Sequence, residues 1–284
     1  MDRHPPKPPP RGLILLGIGI LGLLAAFLLG LRPGGLIPNA GGLQLARSFF
    51  SAALDPALTR EGASLAANTT PFLEDLVHAA LRTLIFAAAA MSLSILAGLP
   101  LGILASDTWW RRSSFSNSRM TAAARAMQSA VRIGIALMRS VHELIWAVIL
   151  LAAVGLNTFG AVLAIAVPYS GTLAKVFSEM LDEAPRHSAK ALEGIGVRPL
   201  GVFLFGLVPR ALPDLVAYTA YRFECAVRSA AVLGFFGYPT LGYHLTLSFG
   251  DGHFRETWTT IYLLLALILC LEWWSTAVRR RLVS

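Results

Sequence analysis

The chain has 284 residues, of which 55% are hydrophobic and 14% charged, and its mean hydropathy is +0.63. A soluble domain of this size rarely has so few charged residues, because its surface needs more polar area than they supply. The formal net charge of +8 comes mainly from arginines grouped between apolar runs, a pattern typical of membrane-protein loops and not of nucleic-acid binding. The composition therefore excludes a soluble domain and predicts an all-α, polytopic helical membrane protein.

Residues 1–12 are basic and proline-rich, and residues 13–31 form an apolar run. About 20 apolar residues cross the hydrocarbon core of a bilayer, so we expect a cytoplasmic tail followed by a first transmembrane helix. A cleaved signal peptide is the alternative, but the run is longer than a typical signal core and has no clear cleavage site. Residues 32–75 are polar and predict a periplasmic loop.

A second span is predicted to begin near Pro71 and to end near Ala105. Proline suits the first turn of a helix, and Glu74 and Asp75 lie where the helix dipole favours carboxylates. Two tryptophans then mark an interface and precede a basic stretch that contains Arg111, Arg112, Arg119, Arg125, Arg132 and Arg139. The last three arginines recur at heptad spacing, which predicts one face of a helix at the membrane surface or leading into a span.

The apolar run 144–169 is interrupted at 155–158 and is consistent with one long span or with two spans joined by a tight turn. A single span would place the basic stretches before and after it on opposite sides of the membrane, against the positive-inside rule, so the charges favour a hairpin. A fifth span is predicted at 212–236, a glycine-rich external segment up to Gly252, and a sixth span at 258–274.

Six transmembrane helices with both termini in the cytoplasm place every basic cluster on the same side. The predicted organisation is therefore a transmembrane core at residues 76–278, containing five spans, and a cytoplasmic tail at residues 279–284. Within the core, the stretch 186–209 predicts two short helices around a glycine hinge at Gly196, with Pro199 in the first turn of the second helix. Pro209 and Pro213 are expected to break that helix from the fifth span.

This stretch resembles the "EAA" loop of ABC importer permeases, because Ala191, Gly196 and Pro209 fall in register with the alanine, glycine and proline of that loop. Lys190 and Leu192 depart from it at the acidic residue and the second alanine. The segments 139–147, 194–200, 209–215, 221–228 and 232–237 are similar to phosphonate importer permeases in particular.

The resemblance implies a type I (MetI-like) importer bundle in the bacterial inner membrane that carries phosphonate or a related phosphorus oxyanion. It implies partner ATPase subunits that bind ATP and magnesium, a periplasmic solute-binding protein and a second permease copy, while this chain itself binds no cofactor. The residues implied to contact the ATPase are Lys190, Ala191, Glu193, Gly196, Arg198, Pro199 and Pro209.

Charged residues inside predicted spans are the candidates for the pathway. Each uncompensated charge at the centre of a span costs at least about 2.5 kcal/mol, so such residues face protein or water. Glu224 and Arg228 are one turn apart and are expected either to form a structural ion pair or, together with Arg222, to line the path of an anion. Glu143 is a candidate cytoplasmic cap or gate.

Gly234 and Gly237 belong to an irregular segment that is either an ordinary loop or a gate, because irregular backbone inside a membrane needs protein or water partners. No phosphate-binding glycine loop with its lysine occurs in the sequence, so we expect the chain not to hydrolyse ATP. His142 and Glu143 begin like a zinc-protease helix, but Trp146 replaces the second histidine. An ABC permease for another small solute, an ion-coupled carrier and a structural scaffold are the alternatives.

Overall fold

The computed structural model describes residues 11–31, 39–61, 71–113 and 122–283, and all regular structure in these ranges is helical. The predicted N-terminal tail up to residue 10, residues 62–70 of the predicted loop and Arg119 lie outside them. The helices are α1 (Arg11–Leu28), α2 (Ala40–Ala52), α3 (Phe72–Ala105), α4 (Asp107–Ser113), α5 (Ala122–Ser140), α6 (Glu143–Val154), α7 (Thr158–Glu183), α8 (His187–Gly194), α9 (Pro199–Gly201), α10 (Val208–Val232), α11 (Leu241–Gly250) and α12 (Phe254–Val283).

The chain divides into two compact units, residues 1–54 and residues 55–284. The first unit contains α1 and α2, so the predicted loop 32–75 holds a helix whose first turn is capped by Asn39. The second unit contains α3 to α12 and all the predicted site residues. Its α12 extends through Val283, beyond the predicted end of the sixth span near residue 274.

The core of the second unit forms where α3 packs against α7. Gly98 and Gly102 bring α3 against the backbone of α7 near Ser170 and Ala174, the kind of small-residue contact that lets membrane helices approach closely. The hydroxyl of Ser94 adds a 3.2 Å hydrogen bond to the carbonyl of Ala166 across this interface. The packed pair forms the frame on which the other helices are placed.

Within the described ranges, four helical segments are long and apolar enough to cross a bilayer: α3, α7, residues 202–236 and α12. Helices α5 and α6 add a fifth if they count as one span, although they bend by 91° at their junction. The apolar run 144–169 is divided at the expected turn, but α6 alone has only 12 residues, about 18 Å, and is too short to cross. The total of six spans therefore stays a prediction.

The loop between α7 and α10 has the predicted start. Helix α8 ends at Gly194, Gly196 turns the chain with φ +80°, and α9 begins at Pro199. The predicted break at Pro209 and Pro213 is wrong, because helix continues from α9 through a π-helical turn (Val202–Leu207) into α10 and a 3₁₀ turn (Leu233–Phe236). The wider π turn accommodates Pro209, whose ring would otherwise crowd a carbonyl four residues earlier.

The predicted glycine-rich external segment folds back into the bundle and contains α11. A Cβ added to Gly242 would lie 2.0 Å from the carbonyl oxygen of Ala231, and one added to Gly234 would lie 2.0 Å from the amide nitrogen of Tyr243. Only glycine permits this approach of two backbones. Further on, the amide of Leu241 donates a 3.0 Å hydrogen bond to the hydroxyl of Thr83 on α3.

Residues 55–61 form a strap across the start of α12. Arg255 pairs with the carboxylate of Asp55 at 2.9 Å and with that of Glu61 at 3.2 Å. The buried carboxylate of Glu256 accepts hydrogen bonds from the amide of Glu61 and, at 3.1 Å, from the hydroxyl of Ser248 on α11. The strap therefore ties α11 and α12 together at one end of the unit, which we call the α11 end; the opposite end carries α8.

We expect Gly242→Ala to lower the thermal midpoint of the detergent-solubilised protein by several degrees, because the new methyl group must push apart two backbones. Overpacking of this kind costs about 1–3 kcal/mol, and each kcal/mol shifts the midpoint of a chain of this size by about 2–4 °C. Gly250→Ala in the same helix is the control, since nothing lies within 4 Å of its added Cβ. Equal midpoints for the two variants would contradict this packing.

Stability should fall in mildly acidic solution because of His244. Burial and then the charge of Arg60 lower the pKa of this imidazole below its usual value of 6.5. As the pH falls below about 6.5, His244 binds a proton in the unfolded chain but stays neutral in the folded protein. The free energy of unfolding therefore decreases. We expect the thermal midpoint to drop less between about pH 7.5 and pH 5.5 for His244→Gln than for wild type. The control variant His187→Gln, at an exposed position, should show the same drop as wild type.

Candidate functional site

Four side chains from three helices form a polar cluster, which we define as Glu143, Tyr169, Arg222 and Ser229. The hydroxyl of Ser229 donates a 2.9 Å hydrogen bond to Glu143 Oε1 and lies 3.0 Å from the hydroxyl of Tyr169. Because Ser229 has a single hydroxyl proton, Tyr169 is the donor in the second bond. The guanidinium carbon of Arg222 lies 4.5 Å from the centre of the Tyr169 ring. Two buried hydroxyls thus connect a carboxylate with a guanidinium.

The local structure explains how these groups meet. Arg222 and Ser229 are seven residues apart on α10, so they lie about 20° apart on one face of the helix. Glu143 is in the first turn of α6, which is capped by His142 and whose dipole favours a carboxylate there. The Nε atom of Arg222 is buried and makes no hydrogen bond within the described part of the chain. The cluster therefore retains one unused donor.

The predicted pair of Glu224 and Arg228 is present on another face of α10. The Glu224 side chain is 7% exposed, whereas that of Arg228 is 50% exposed. Six residues of helix place Arg228 about 120° away from Arg222, so the two arginines do not share a face. This geometry associates Arg222 with the polar cluster and Arg228 with helix packing.

The predicted ATPase contact forms an exposed surface at the α8 end, whereas the opposite side of α8 is buried. Ala189 is fully buried and packs against Gly206 of the π-helical turn. Ile195 is 77% exposed, an unusual position for a large apolar side chain. The exposed residues among those predicted are Lys190, Ala191, Glu193, Gly196, Arg198 and Pro209.

Behind this surface, α4 connects the loop to the bundle. Phe203 of the π-helical turn stacks edge-on against Trp109 of α4, with ring centres 5.1 Å apart. The carboxylate of Asp182 at the end of α7 accepts hydrogen bonds from the hydroxyl of Ser106 at 2.7 Å and from the amide of Thr108 at 2.8 Å. The loop is thereby joined to the ends of α3 and α7.

A cavity of about 650 Å³ opens between α5 and α7 towards the α8 end. Its basic residues are Arg132, which pairs with Asp107 at 3.0 Å, Lys175, which pairs with Glu179 at 2.6 Å, and Arg139. Three basic side chains therefore line this cavity, and two of them are paired with carboxylates.

The candidate gate is only partly buried, because Gly234 is buried whereas Phe235 and Gly237 are exposed. Gly234 lies in the 3₁₀ turn against α11, and Gly237 ends that turn. Next to it, the buried Tyr238 donates a 3.2 Å hydrogen bond to the carbonyl of Asn157 in the turn before α7. The segment therefore contacts the α6–α7 turn, and the choice between a gate and an ordinary loop stays a prediction.

Sequence reasoning missed Tyr169, Ser229 and Asp182. The position of Ser229, two helical turns after Arg222, is a signal that could have identified it. Tyr169 and Asp182 carry no comparable local signal, because their partners lie on other helices. Within the described residues, no three His, Cys, Asp or Glu side chains gather where a metal ion could bind.

Residues 98–284, which include α4 to α12 and both candidate sites, match the family described as the binding-protein-dependent transport system inner membrane component. The chain belongs to that family. The match covers more than half of the sequence and includes the predicted ATPase-contact loop. The protein is therefore a multi-pass inner membrane permease component and not itself a catalytic enzyme.

Relatives of this permease are named for the transport of phosphorus oxyanions. It is 29% identical over 170 residues to the phosphite transport system permease protein PtxC of Stutzerimonas stutzeri. The matched region covers 59% of this chain and 61% of that protein. It is 28% identical over 205 residues to the phosphate-import permease protein PhnE of Mycolicibacterium smegmatis, which covers 72% and 36%. A protein named for a cryptic phosphonate transport system in Escherichia coli K12, PhnE2, is 28% identical over 121 residues, 43% of this chain and 99% of its own length.

Solved structures confirm the fold of the permease. An inward-facing structure of the MetNI methionine ABC transporter superposes with a TM-score of 0.62 at 21% identity, covering 75% of this chain and 99% of that one. A crystal structure of an amino acid ABC transporter with histidines gives a TM-score of 0.60 at 15% identity, with the same coverage. The predicted MetI-like ABC importer fold is therefore confirmed.

Replacing Arg228 with Met should reduce the yield of correctly assembled permease, because it leaves the buried Glu224 without its partner. Breaking such a pair costs up to about 3–5 kcal/mol, whereas replacing both members by neutral residues costs much less. We therefore expect Glu224→Gln combined with Arg228→Met to recover most of the monodisperse fraction in size-exclusion chromatography. A double variant as poor as Arg228→Met alone would contradict a purely structural pair.

Proposed function

We propose that this chain is the permease subunit of an ATP-binding-cassette importer that carries phosphonate or a related phosphorus oxyanion across the inner membrane. The observation that carries the proposal is its similarity to permeases named for phosphite, phosphate and phosphonate transport. The match covers only 61% of the phosphite permease and 36% of the phosphate-import permease. The substrate of this chain is therefore proposed and does not follow from family membership.

The polar cluster supports an anionic substrate. Arg222 supplies a permanent charge and an unused donor beside two hydroxyl groups, a set of groups that suits an oxyanion. Permeases supplied by a binding protein need little affinity of their own, because a tight site would retain the anion. We infer that Arg222, and not the paired Arg228, makes the transient contact.

The proposed topology places the α8 end in the cytoplasm, together with both chain termini, because the basic stretches lie at that end. Partner ATPases that bind ATP and magnesium would dock on the exposed surface around Lys190, Ile195 and Gly196. Their closure on ATP would move α8, and the contacts of Phe203 with Trp109 would transmit the movement to α4.

The α11 end would then face the periplasm and a solute-binding protein. The segment with Gly234 and Gly237 is the candidate gate on that side, since it packs between α10, α11 and the α6–α7 turn. A second copy of the chain would complete the pathway, because alternating access needs two opposed bundles.

Uptake of labelled methylphosphonate tests the proposed substrate. A bacterial host that lacks its own phosphonate import should gain uptake when it expresses this chain with its ATPase and binding protein, and lose it when this chain is omitted. Labelled phosphite and phosphate should be tested in the same way, each in a host that lacks its own import of that anion. Absence of uptake for all three anions in cells with correctly inserted permease would contradict a phosphorus oxyanion as the substrate.

Replacing Gly196 with Val should uncouple the permease from its ATPase. The φ of +80° at this turn strains any residue with a Cβ, by roughly 1–2 kcal/mol, and a β-branched one the most. We expect insertion to be normal, with loss of ATPase co-purification and of substrate-driven ATP hydrolysis. Gly194→Val is the matched control, because Gly194 is exposed at the end of α8 and has nothing within 4 Å of its added Cβ. Normal uptake by Gly196→Val would contradict this role.

A further inference from the structure

The polar cluster contains a carboxylate that a simple path for anions would not need. Glu143 is hydrogen-bonded to the hydroxyl of Ser229, which in turn accepts a hydrogen bond from Tyr169. The ring of Tyr169 contacts the guanidinium of Arg222. A fixed negative charge repels an approaching anion, so Glu143 by itself would weaken binding. Its connection to Arg222 through Ser229 and Tyr169 therefore requires a chemical reason of its own.

Oxyanions differ in whether they keep an acidic proton. An ionised carboxylate only accepts hydrogen bonds, so it can bind a P–OH group but not a bare anionic oxygen. Phosphonate, phosphite and phosphate retain a P–OH group on a large share of molecules near neutral pH, whereas sulfate and sulfonates have lost every acidic proton. A carboxylate beside a guanidinium therefore discriminates between anions of the same shape and charge.

We propose that the polar cluster is a filter that selects oxyanions carrying a proton. When the anion enters, the hydrogen bonds from Ser229 to Glu143 and from Tyr169 to Ser229 open. Arg222 then holds the charged oxygens, the freed hydroxyls of Tyr169 and Ser229 donate to them, and Glu143 accepts the hydrogen of the P–OH group in place of that of Ser229. The inference rests on the proposed function, since it requires a phosphorus oxyanion to pass through this chain. It assigns part of the substrate selection to the permease itself, in addition to any selection by a binding protein.

The surroundings of Glu143 fit this role. Its side chain is 27% exposed at the bend between α5 and α6, so an anion can reach it, whereas Tyr169 and Ser229 are 5% and 8% exposed. The nearby ionisable groups are His142, whose Nε2 lies 3.6 Å from Glu143 Oε2, and Arg222 of α10, whose guanidinium carbon lies 4.5 Å from the centre of the Tyr169 ring. Glu143 is thus the acceptor and Arg222 the permanent cation of this group.

Methylphosphonate and methanesulfonate provide a matched pair of probes. At mildly acidic pH both are singly charged and have the same shape, but only methylphosphonate carries an acidic proton. The sample is the full-length permease with its ATPase in lipid nanodiscs, without a binding protein, so that only the membrane complex meets the anion. The line width of the ³¹P signal of methylphosphonate reports binding, and added methanesulfonate reports competition.

We expect wild type to need at least about tenfold more methanesulfonate than unlabelled methylphosphonate to reverse the broadening, because a site built to pair a hydroxyl rejects an analogue that lacks it. Glu143→Gln should bring the ratio close to one, since an amide can also donate to the sulfonate. Arg222→Gln should abolish broadening. Glu224→Gln is the control: it removes a buried carboxylate of α10 outside the polar cluster and should leave the ratio unchanged.

If Glu143→Gln fails to assemble, Ser229→Ala serves instead. It keeps the charges of Glu143 and Arg222 but removes the hydrogen bond that positions the Glu143 carboxylate. The ratio of methanesulfonate to methylphosphonate should then fall by at least about threefold. An unchanged ratio in the assembled variant, or no broadening by wild type, overturns the filter. Both outcomes leave the proposed function intact if cells expressing the complete importer still take up methylphosphonate. Loss of that cellular uptake is what would remove the proposed function.

Discussion

Charged side chains inside a bilayer-spanning helix need partners, because each uncompensated charge there costs at least about 2.5 kcal/mol. In this permease the requirement is met in two ways on a single helix. Glu224 and Arg228 satisfy each other within α10, whereas Arg222 relies on Tyr169 of α7 and, through Ser229, on Glu143 of α6. The second solution connects three helices and leaves one donor unused, which is why it, and not the ion pair, is the candidate for substrate contact.

The positions of these partners depend on the irregular parts of the helices. The 91° bend between α5 and α6 places Glu143 at a helix start beside α10. The π-helical turn allows α10 to continue from the α8 end despite Pro209, so that a rigid helix joins the proposed ATPase contact to Arg222. One element thereby connects the loop to the polar cluster.

Local sequence signals predicted what local interactions determine. The end of α3 at Ala105, the turn at Gly196 and the start of α9 at Pro199 follow from charge, glycine and proline positions, and the structure confirms them. The prediction for Pro209 is wrong because the wider π-helical turn before it makes room for the proline ring, and no local sequence signal indicates that turn. The contact of Tyr169 with Ser229 joins residues of separate helices, so no local pattern encodes it.

Reconstitution in proteoliposomes tests the central claim most directly, namely that this chain conducts a phosphorus oxyanion only when an ATPase drives it. Purified permease should be inserted alone, or together with its ATPase and binding protein, and the accumulation of labelled methylphosphonate measured with and without ATP. The account predicts accumulation for the complete system with ATP and none for the permease alone under any ion gradient. Gradient-driven accumulation by the permease alone would contradict it and indicate an ion-coupled carrier.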